Sequence, residues 1–268
     1  MSKANDRALR FYNEVLGLER LHYGIWLPDD EISIVNLKEA QERYKTHLID
    51  NIPDGVKNIL DVGCGTGILT KELIGLGYDV EGLSPDINQK KMFTENIDAI
   101  FHHLTFEEFS EIDRYDCIIM SESAQYISIE KIFENAKRSL KQSGYLMICD
   151  YFVLTNAVGP FGNSGHDYEV FMNHVKTNGL TVISEDDITE SVTKSLDLGK
   201  SLIERALLGL EIVTEKARDR HRHVSRFLLW LFKKKIAKLQ QQFQLLDSSE
   251  FKKNKTYRFM LLQVSNDT

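Results

Sequence analysis

At 268 residues, 42% of them hydrophobic, the chain is long enough for one large domain with a sizeable core, or for one domain carrying a lid. Its net charge of −7 argues against general nucleic-acid binding, and no apolar run approaches the ~20 residues that a bilayer-spanning helix needs. Three widely spaced cysteines, Cys64, Cys117 and Cys149, give neither a metal spacing nor a disulfide framework and read as buried reduced thiols. With no apolar signal core in residues 1–6, the expected setting is cytoplasmic.

Residues 1 to about 50 read as a helical cap, interrupted by the aromatic-glycine segment Tyr23-Gly24-Ile25-Trp26. The short apolar run Asn58-Ile59-Leu60-Asp61-Val62 then reads as a buried parallel strand. It enters Gly63-Cys64-Gly65-Thr66-Gly67, after which residues 68–74 have the spacing of an amphipathic helix. Glycines at alternate positions remove the side chains that keep a ligand from the backbone, and the helix start offers unpaired N–H groups. A glycine triplet can also be an ordinary strand–helix turn. Dinucleotide-binding turns use Gly-x-Gly-x-x-Gly, whereas Gly63, Gly65 and Gly67 are each two apart behind Asp61.

Further strands are expected at residues 79–83, 99–103, 116–120 and 144–149, with a helix at 129–140 before the fifth. Such alternation predicts a mostly parallel sheet with helices on both faces. Residues 180–183 and 257–262 complete seven strands, the last expected at an edge. The stretch from Ile188 to about Ser249 keeps helical periodicity and is too long for a plain connection, which predicts an inserted lid. The expected boundaries are a cap at 1–50, a core at 51–190, a lid at 191–253 and a final core strand at 254–268.

Charge is spread unevenly, with 13 Lys and Arg against 3 Asp and Glu between Lys216 and Arg258. Within that region Phe227-Leu228-Leu229-Trp230-Leu231-Phe232 precedes Lys233-Lys234-Lys235 and Lys238. One reading is an interfacial helix for peripheral contact with an anionic membrane, or a wall for an apolar acceptor. The other is a lid helix packed on the core with its lysines in water.

The Asp61–Gly67 pattern resembles motif I of class I S-adenosylmethionine-dependent methyltransferases. That resemblance implies a Rossmann-like three-layer α/β sandwich in which Asp61, Gly63, Cys64, Gly65 and Gly67 serve the cofactor. The second strand departs from the usual pattern, because Ser84 stands where an acidic residue commonly holds the ribose. A polar residue there with Gln89 five positions on resembles the cyclopropane-fatty-acid synthases, the sterol and tocopherol C-methyltransferases and related sugar O-methyltransferases. By that resemblance Ser84 and Gln89 contact the ribose, and Tyr23 reaches the methionine carboxylate from the segment that ends at Trp26. Leu37-Lys38-Glu39-Ala40-Gln41 resembles the cap helix of that group. Thr105, Phe106 and Glu107 stand next to the adenine, and Glu122 joins the cofactor set. The resemblance covers about residues 11–154.

The reaction centre is expected after the fourth strand, at Gln125 and Tyr126. Cyclopropane synthases resembling this pattern carry Glu at the position of Gln125, where it helps to hold a bicarbonate base. Gln cannot take a proton, which opposes a lipid-cyclopropanating activity. The candidate bases are Tyr126, Asp150, after the fifth strand, and His166, in the loop at residues 159–167. Read structurally, Asp150 is a capping or loop carboxylate and His166 a surface histidine. His102 and His103 are given no chemistry, and His221 and His223 read as part of a solvated basic face. The expected function is methyl transfer from S-adenosylmethionine to a small molecule, a natural product or lipid-like compound. The other class of reading is a catalytically silent, cofactor-binding subunit.

Overall fold

The computed structural model describes residues 17, 20, 22–220 and 245–265. In chain order the elements are α1 (Ile34–Asp50), β1 (Asn58–Val62), α2 (Ile68–Gly75), β2 (Asp79–Leu83), α3 (Ile87–Asn96), β3 (Phe101–His102) and β4 (Tyr115–Ser121). There follow α4 (Ile129–Ser139), β5 (Leu140–Val153), β6 (His166–Asp167), α5 (Tyr168–Thr177), β7 (Leu180–Asp187), α6 (Thr189–Arg220), α7 (Ser248–Asn254) and β8 (Lys255–Val264). Seven strands run in the order β3-β2-β1-β4-β5-β8-β7, and the two-residue β6 pairs with β5 off this path. β8 is antiparallel to both neighbours, while β1 to β5 are parallel to one another.

Successive side chains of a strand point to opposite faces, and the core divides accordingly. Leu60, Val62, Ile118, Met120, Leu146 and Ile148 pack with Phe133 of α4 and Phe171 of α5 on one face. Ile59, Cys117, Ile119, Met147 and Cys149 pack with Tyr44 of α1, Leu73 of α2 and Val192 of α6 on the other. This is a three-layer α/β sandwich. Among the described residues no helix is long and apolar enough to cross a membrane.

The expected last strand forms, but not at an edge. β8 lies between β5 and β7, with Tyr257, Phe259, Met260 and Leu262 all fully buried. A near-continuous apolar run is what a strand covered on both faces requires. The edge is β7, where Ile183 and Val182 are exposed. The third strand shrinks from five expected residues to Phe101–His102, and the fifth extends from 144–149 to Leu140–Val153. The predicted helical stretch after Ile188 begins as α6; His221, His223, the 227–232 run and Lys233–235 lie outside the described residues.

A strap at residues 22–26 crosses between α1 and α6. Gln41 of α1 donates from Nε2 to the carbonyls of His22 at 2.7 Å and Arg20 at 3.3 Å. A Cβ on Gly24 would lie 2.5 Å from the Ala40 Cβ, so only glycine allows this approach. On the other side, the backbone N–H of Trp26 bonds Ser191 and its indole N–H bonds the Ser195 hydroxyl, at 2.8 and 2.9 Å. The Ala40-Gln41 pair is thus explained by what it grips.

Candidate active site

The order reverses between β1 and β4, and the carboxyl ends of these strands frame the crevice in which open α/β sheets bind ligands. Gly63, Gly65 and Gly67 have φ of 76°, 57° and 83°, in the left-handed region that favours glycine. A Cβ on Gly63 would stand 2.4 Å from the Ser123 Cβ, and one on Gly67 would stand 2.2 Å from Ile97 Cδ1. Gly65 differs: the nearest atom to its Cβ position is 4.0 Å away. Two glycines are therefore required by packing, and the third presents bare backbone to open space. Asp61 is buried and accepts from the Thr70 hydroxyl at 2.7 Å; burial pushes its carboxyl up to about 6 despite that bond. Cys64 is buried and unpaired, and burial raises its thiol.

At the end of β2, Ser84 and Gln89 meet each other. The Ser84 hydroxyl donates to Gln89 Oε1 at 2.6 Å and accepts from the Asp86 N–H at 3.2 Å. Asp86 caps α3 by accepting from Asn88 and Gln89 N–H. The bond spends the Gln89 carbonyl and leaves its amide donors for a ligand. The buried acidic side chain of β2, Glu81, serves elsewhere: it binds Arg114, His102 and Tyr115. His102 is thereby tied into this buried network.

Of the three residues expected beside an adenine, Phe106 is 1% exposed and packs in the core with Phe109. The Thr105 N–H and hydroxyl both donate to Glu108 at 3.1 Å, and Glu107 accepts from the Ser128 N–H at 3.4 Å. Trp26 is likewise 3% exposed and packs with Leu37, Ala40 and Leu198. Both aromatics build the walls rather than face the crevice.

Glu122, just past β4, has φ 54°, a rare conformation for a residue with a Cβ. Its Oε1 accepts from the Tyr23 backbone N–H at 2.8 Å and from the Tyr257 hydroxyl at 2.6 Å. The Tyr44 hydroxyl continues the network, 3.2 Å from the Tyr257 hydroxyl and 2.9 Å from Ser121 Oγ. One carboxylate thus joins the strap, β4 and β8. Burial pushes it up to about 7, opposed by those two bonds.

The four residues expected at the reaction centre meet around one short turn, residues 124–126. Asp150 Oδ2 accepts from the Gln125 N–H at 3.0 Å, and Oδ1 accepts from the Tyr151 N–H at 2.8 Å. His166 Nε2 donates to the Ala124 carbonyl at 2.9 Å. His166 does not sit in a free loop; it belongs to β6, paired with Phe152 of β5. Asp150 is 1% exposed; burial, then the nearby Glu122, push its carboxyl up to about 8 against the Gln125 bond. Gln125 Oε1 is buried without a hydrogen-bond partner among the described residues, while Tyr126 is 79% exposed at the lip.

Sequence reasoning missed Tyr44, Tyr151, Phe251, Lys255 and Tyr257. Phe161, Leu196 and Phe251 form an apolar cluster against which Tyr23 and Tyr151 pack, beyond the ends of β5 and β8. The missed residues come from three distant parts of the chain, and only the strand order brings them together. The aromatic content of residues 251–257 was the one available signal.

Fold and crevice together define a protein of the class I methyltransferase type. A family model described as a methyltransferase domain matches residues 37–234, and the chain belongs to that family. The ubiquinone biosynthesis O-methyltransferase of Rickettsia bellii (strain OSU 85-389) is 27% identical over 148 residues, covering 51% of this chain and 60% of that protein. The chain spans about 60% of the length of such curated relatives. A Galdieria sulphuraria protein described as a sarcosine dimethylglycine methyltransferase has a TM-score of 0.74 at 19% identity, covering 98% of this chain and 100% of that one. The geranyl diphosphate C-methyltransferase of Streptomyces coelicolor A3(2), solved with Mg2+, geranyl diphosphate and S-adenosyl-L-homocysteine, has a TM-score of 0.66 at 16% identity and covers 98% of each chain. At these identities the structural likeness establishes the fold.

Proposed function

We propose that the chain transfers a methyl group from S-adenosylmethionine to a small natural-product or lipid-like molecule. The observation that carries this reading is the Gly63–Gly67 turn, crowded at two glycines and open at the third. The family and a structural neighbour solved with S-adenosyl-L-homocysteine support the same cofactor. When bound, that cofactor supplies an electrophilic sulfonium methyl. The open backbone at Gly65 fits its methionine end, and the Gln89 amide donors fit its ribose hydroxyls. Tyr23, fixed by Glu122 through its backbone, closes the crevice from the strap side.

The chain's own part in the chemistry is alignment. Asp150 and His166 hold the 124–126 turn, so their bonds make them positioning residues in this reading. A buried acceptor left unpaired costs about 1–3 kcal/mol. Gln125 Oε1 is such an atom, and an O–H or N–H of the bound molecule would satisfy it. Holding two reactants in near-attack geometry can supply ~7–11 kcal/mol of the barrier. In this reading the described parts of residues 1–50 and 191–253 cover a core of 51–190 closed by the described part of 254–268, and the unpaired buried thiols support a reducing, cytoplasmic setting.

The test is incubation of the protein with methyl-labelled S-adenosylmethionine and a metabolite extract of cells that carry it, followed by mass spectrometry. A labelled small molecule is expected. Tight S-adenosylhomocysteine binding without any labelled product would favour a silent, cofactor-binding subunit instead.

A further inference from the structure

Lys255, the first residue of β8, is a buried ammonium that no carboxylate of the described residues contacts. It is 5% exposed, and its Nζ donates to the Ser164 carbonyl at 2.9 Å and lies 3.8 Å from the centre of the Tyr151 ring. An ammonium has three donors, and burying one without a paired anion is costly. The neighbouring cations are already paired: Lys252 with Glu190 at 2.9 Å and Arg258 with Asp187 at 3.0 Å. All three cations line one cavity of about 330 Å³, together with the paired carboxylates Asp187 and Glu190, with Leu154 and with the hydroxyl-bearing Thr189 and Thr256. That volume falls within the range of small-molecule sites. Among the described residues, Lys255 is therefore the cation of this cavity that no carboxylate contacts.

Its other side faces the apolar cluster, through the Tyr151 ring. Lys255 pairs with Val153 and Arg258 with Asp150 in the β5–β8 register. The Lys255 and Asp150 rungs are thus three residues apart, ~10 Å at about 3.4 Å per residue. Asp150 holds the Gln125 turn with both oxygens, so it acts on Lys255 through space and not by contact. Burial lowers the Lys255 ammonium to about 8, with Asp150 opposing, which is the penalty that a bound anion would relieve.

We propose that Lys255 anchors a carboxylate on the methyl acceptor, which makes the acceptor an apolar carboxylic acid. Its acidic end binds at Lys255, its body lies on the Tyr151 and Phe251 side, and its methylated atom reaches the Gln125 turn roughly 10 Å away. This assignment rests on the methyltransferase reading and narrows its substrate class.

The test is calorimetric titration of the full chain, saturated with S-adenosylhomocysteine, with 4-phenylbutanoate and separately with 4-phenylbutanamide. These probes share shape and differ in charge. The acid should bind about 10-fold or more tightly than the amide, the scale of a hydrogen bond to a charged group. Lys255→Met should abolish that preference and leave S-adenosylhomocysteine affinity within about 2-fold, whereas Lys255→Arg should keep part of it. Equal affinity for acid and amide, binding of neither, or a preference that survives in Lys255→Met each overturns the proposal. The parent comparison needs no variant to fold. Failure of the parent to bind S-adenosylhomocysteine would instead overturn the methyltransferase reading.

Discussion

Replacing Asp150 with asparagine should flatten the pH dependence of stability between pH 6 and 8. Asp150 is 1% exposed, and burial raises its carboxyl from the ordinary aspartate value to about 8. The folded protein therefore holds a proton that the unfolded chain releases near pH 4. Stability from this group is fully present below pH 4 and is lost as pH rises through 8. Between pH 6 and 8 the slope approaches one proton, at most ~1.4 kcal/mol per pH unit. At ~2–4 °C per kcal/mol for a chain of about this size, that is ~3–6 °C per pH unit. Asparagine cannot titrate, and its amide must turn a donor toward one of the backbone N–H groups of Gln125 and Tyr151. A pH-independent loss of about 1–3 kcal/mol should accompany the change. Scanning calorimetry at pH 6, 7 and 8 and constant ionic strength reads both effects. Glu122→Gln is the control, because the Glu122 carboxyl, raised to about 7 by burial, titrates in the same sense. A slope in Asp150→Asn equal to that of the parent would mean that Asp150 is ionised in the native protein throughout this range.

Ser84→Ala and Gln89→Ala should each weaken S-adenosylhomocysteine binding about 2- to 12-fold, the value of one neutral hydrogen bond. Because Ser84 and Gln89 are bonded to each other at 2.6 Å, the double mutant should lose less than the product of the two; calorimetry reading three parental affinities would place the ribose elsewhere. Gly67→Ala should lower stability by more than the ~1–2 kcal/mol of a left-handed alanine, since its Cβ would also stand 2.2 Å from Ile97 Cδ1 and 2.7 Å from Phe93. Chemical denaturation measures this, and a loss below 1 kcal/mol would show that the turn relaxes.

The parallel half of the sheet is legible in the sequence because β1, β4 and β5 carry short apolar runs and helical stretches alternate with the strands. The glycine turn is legible for a related reason: a backbone at φ 57–83° leaves a residue-type signature. What lies beyond β5 is not. The run at residues 257–262 carries the burial on both faces that marks an interior strand, but nothing local says that it inserts between β5 and β7. Without that insertion Tyr257 cannot be placed on Glu122, 135 residues earlier, nor Lys255 on Tyr151. Asp150 and His166 were legible as chemistry-bearing residue types near the site. Their bonds to Gln125 N–H and to the Ala124 carbonyl depend on the turn at 124–126 and on β6, which pattern alone does not reveal. Phe106 shows the converse limit, since an aromatic in a matching position can serve the core.

The central claim is that the Gly63–Gly67 turn holds S-adenosylmethionine, and calorimetric titration with S-adenosylhomocysteine tests it most directly. The account predicts one site per chain, no detectable heat with NAD, and loss of binding in Gly65→Val. At 100 times its Kd the ligand should add about 2.7 kcal/mol of stability to the parent. Among the described residues the Gly65 Cβ position has no neighbour closer than 4.0 Å, so valine there adds no clash beyond the ~1–2 kcal/mol strain of its left-handed φ of 57°, and the variant should keep a melting transition while failing to bind. Undiminished affinity in folded Gly65→Val, or binding of NAD in place of S-adenosylhomocysteine, would contradict the account.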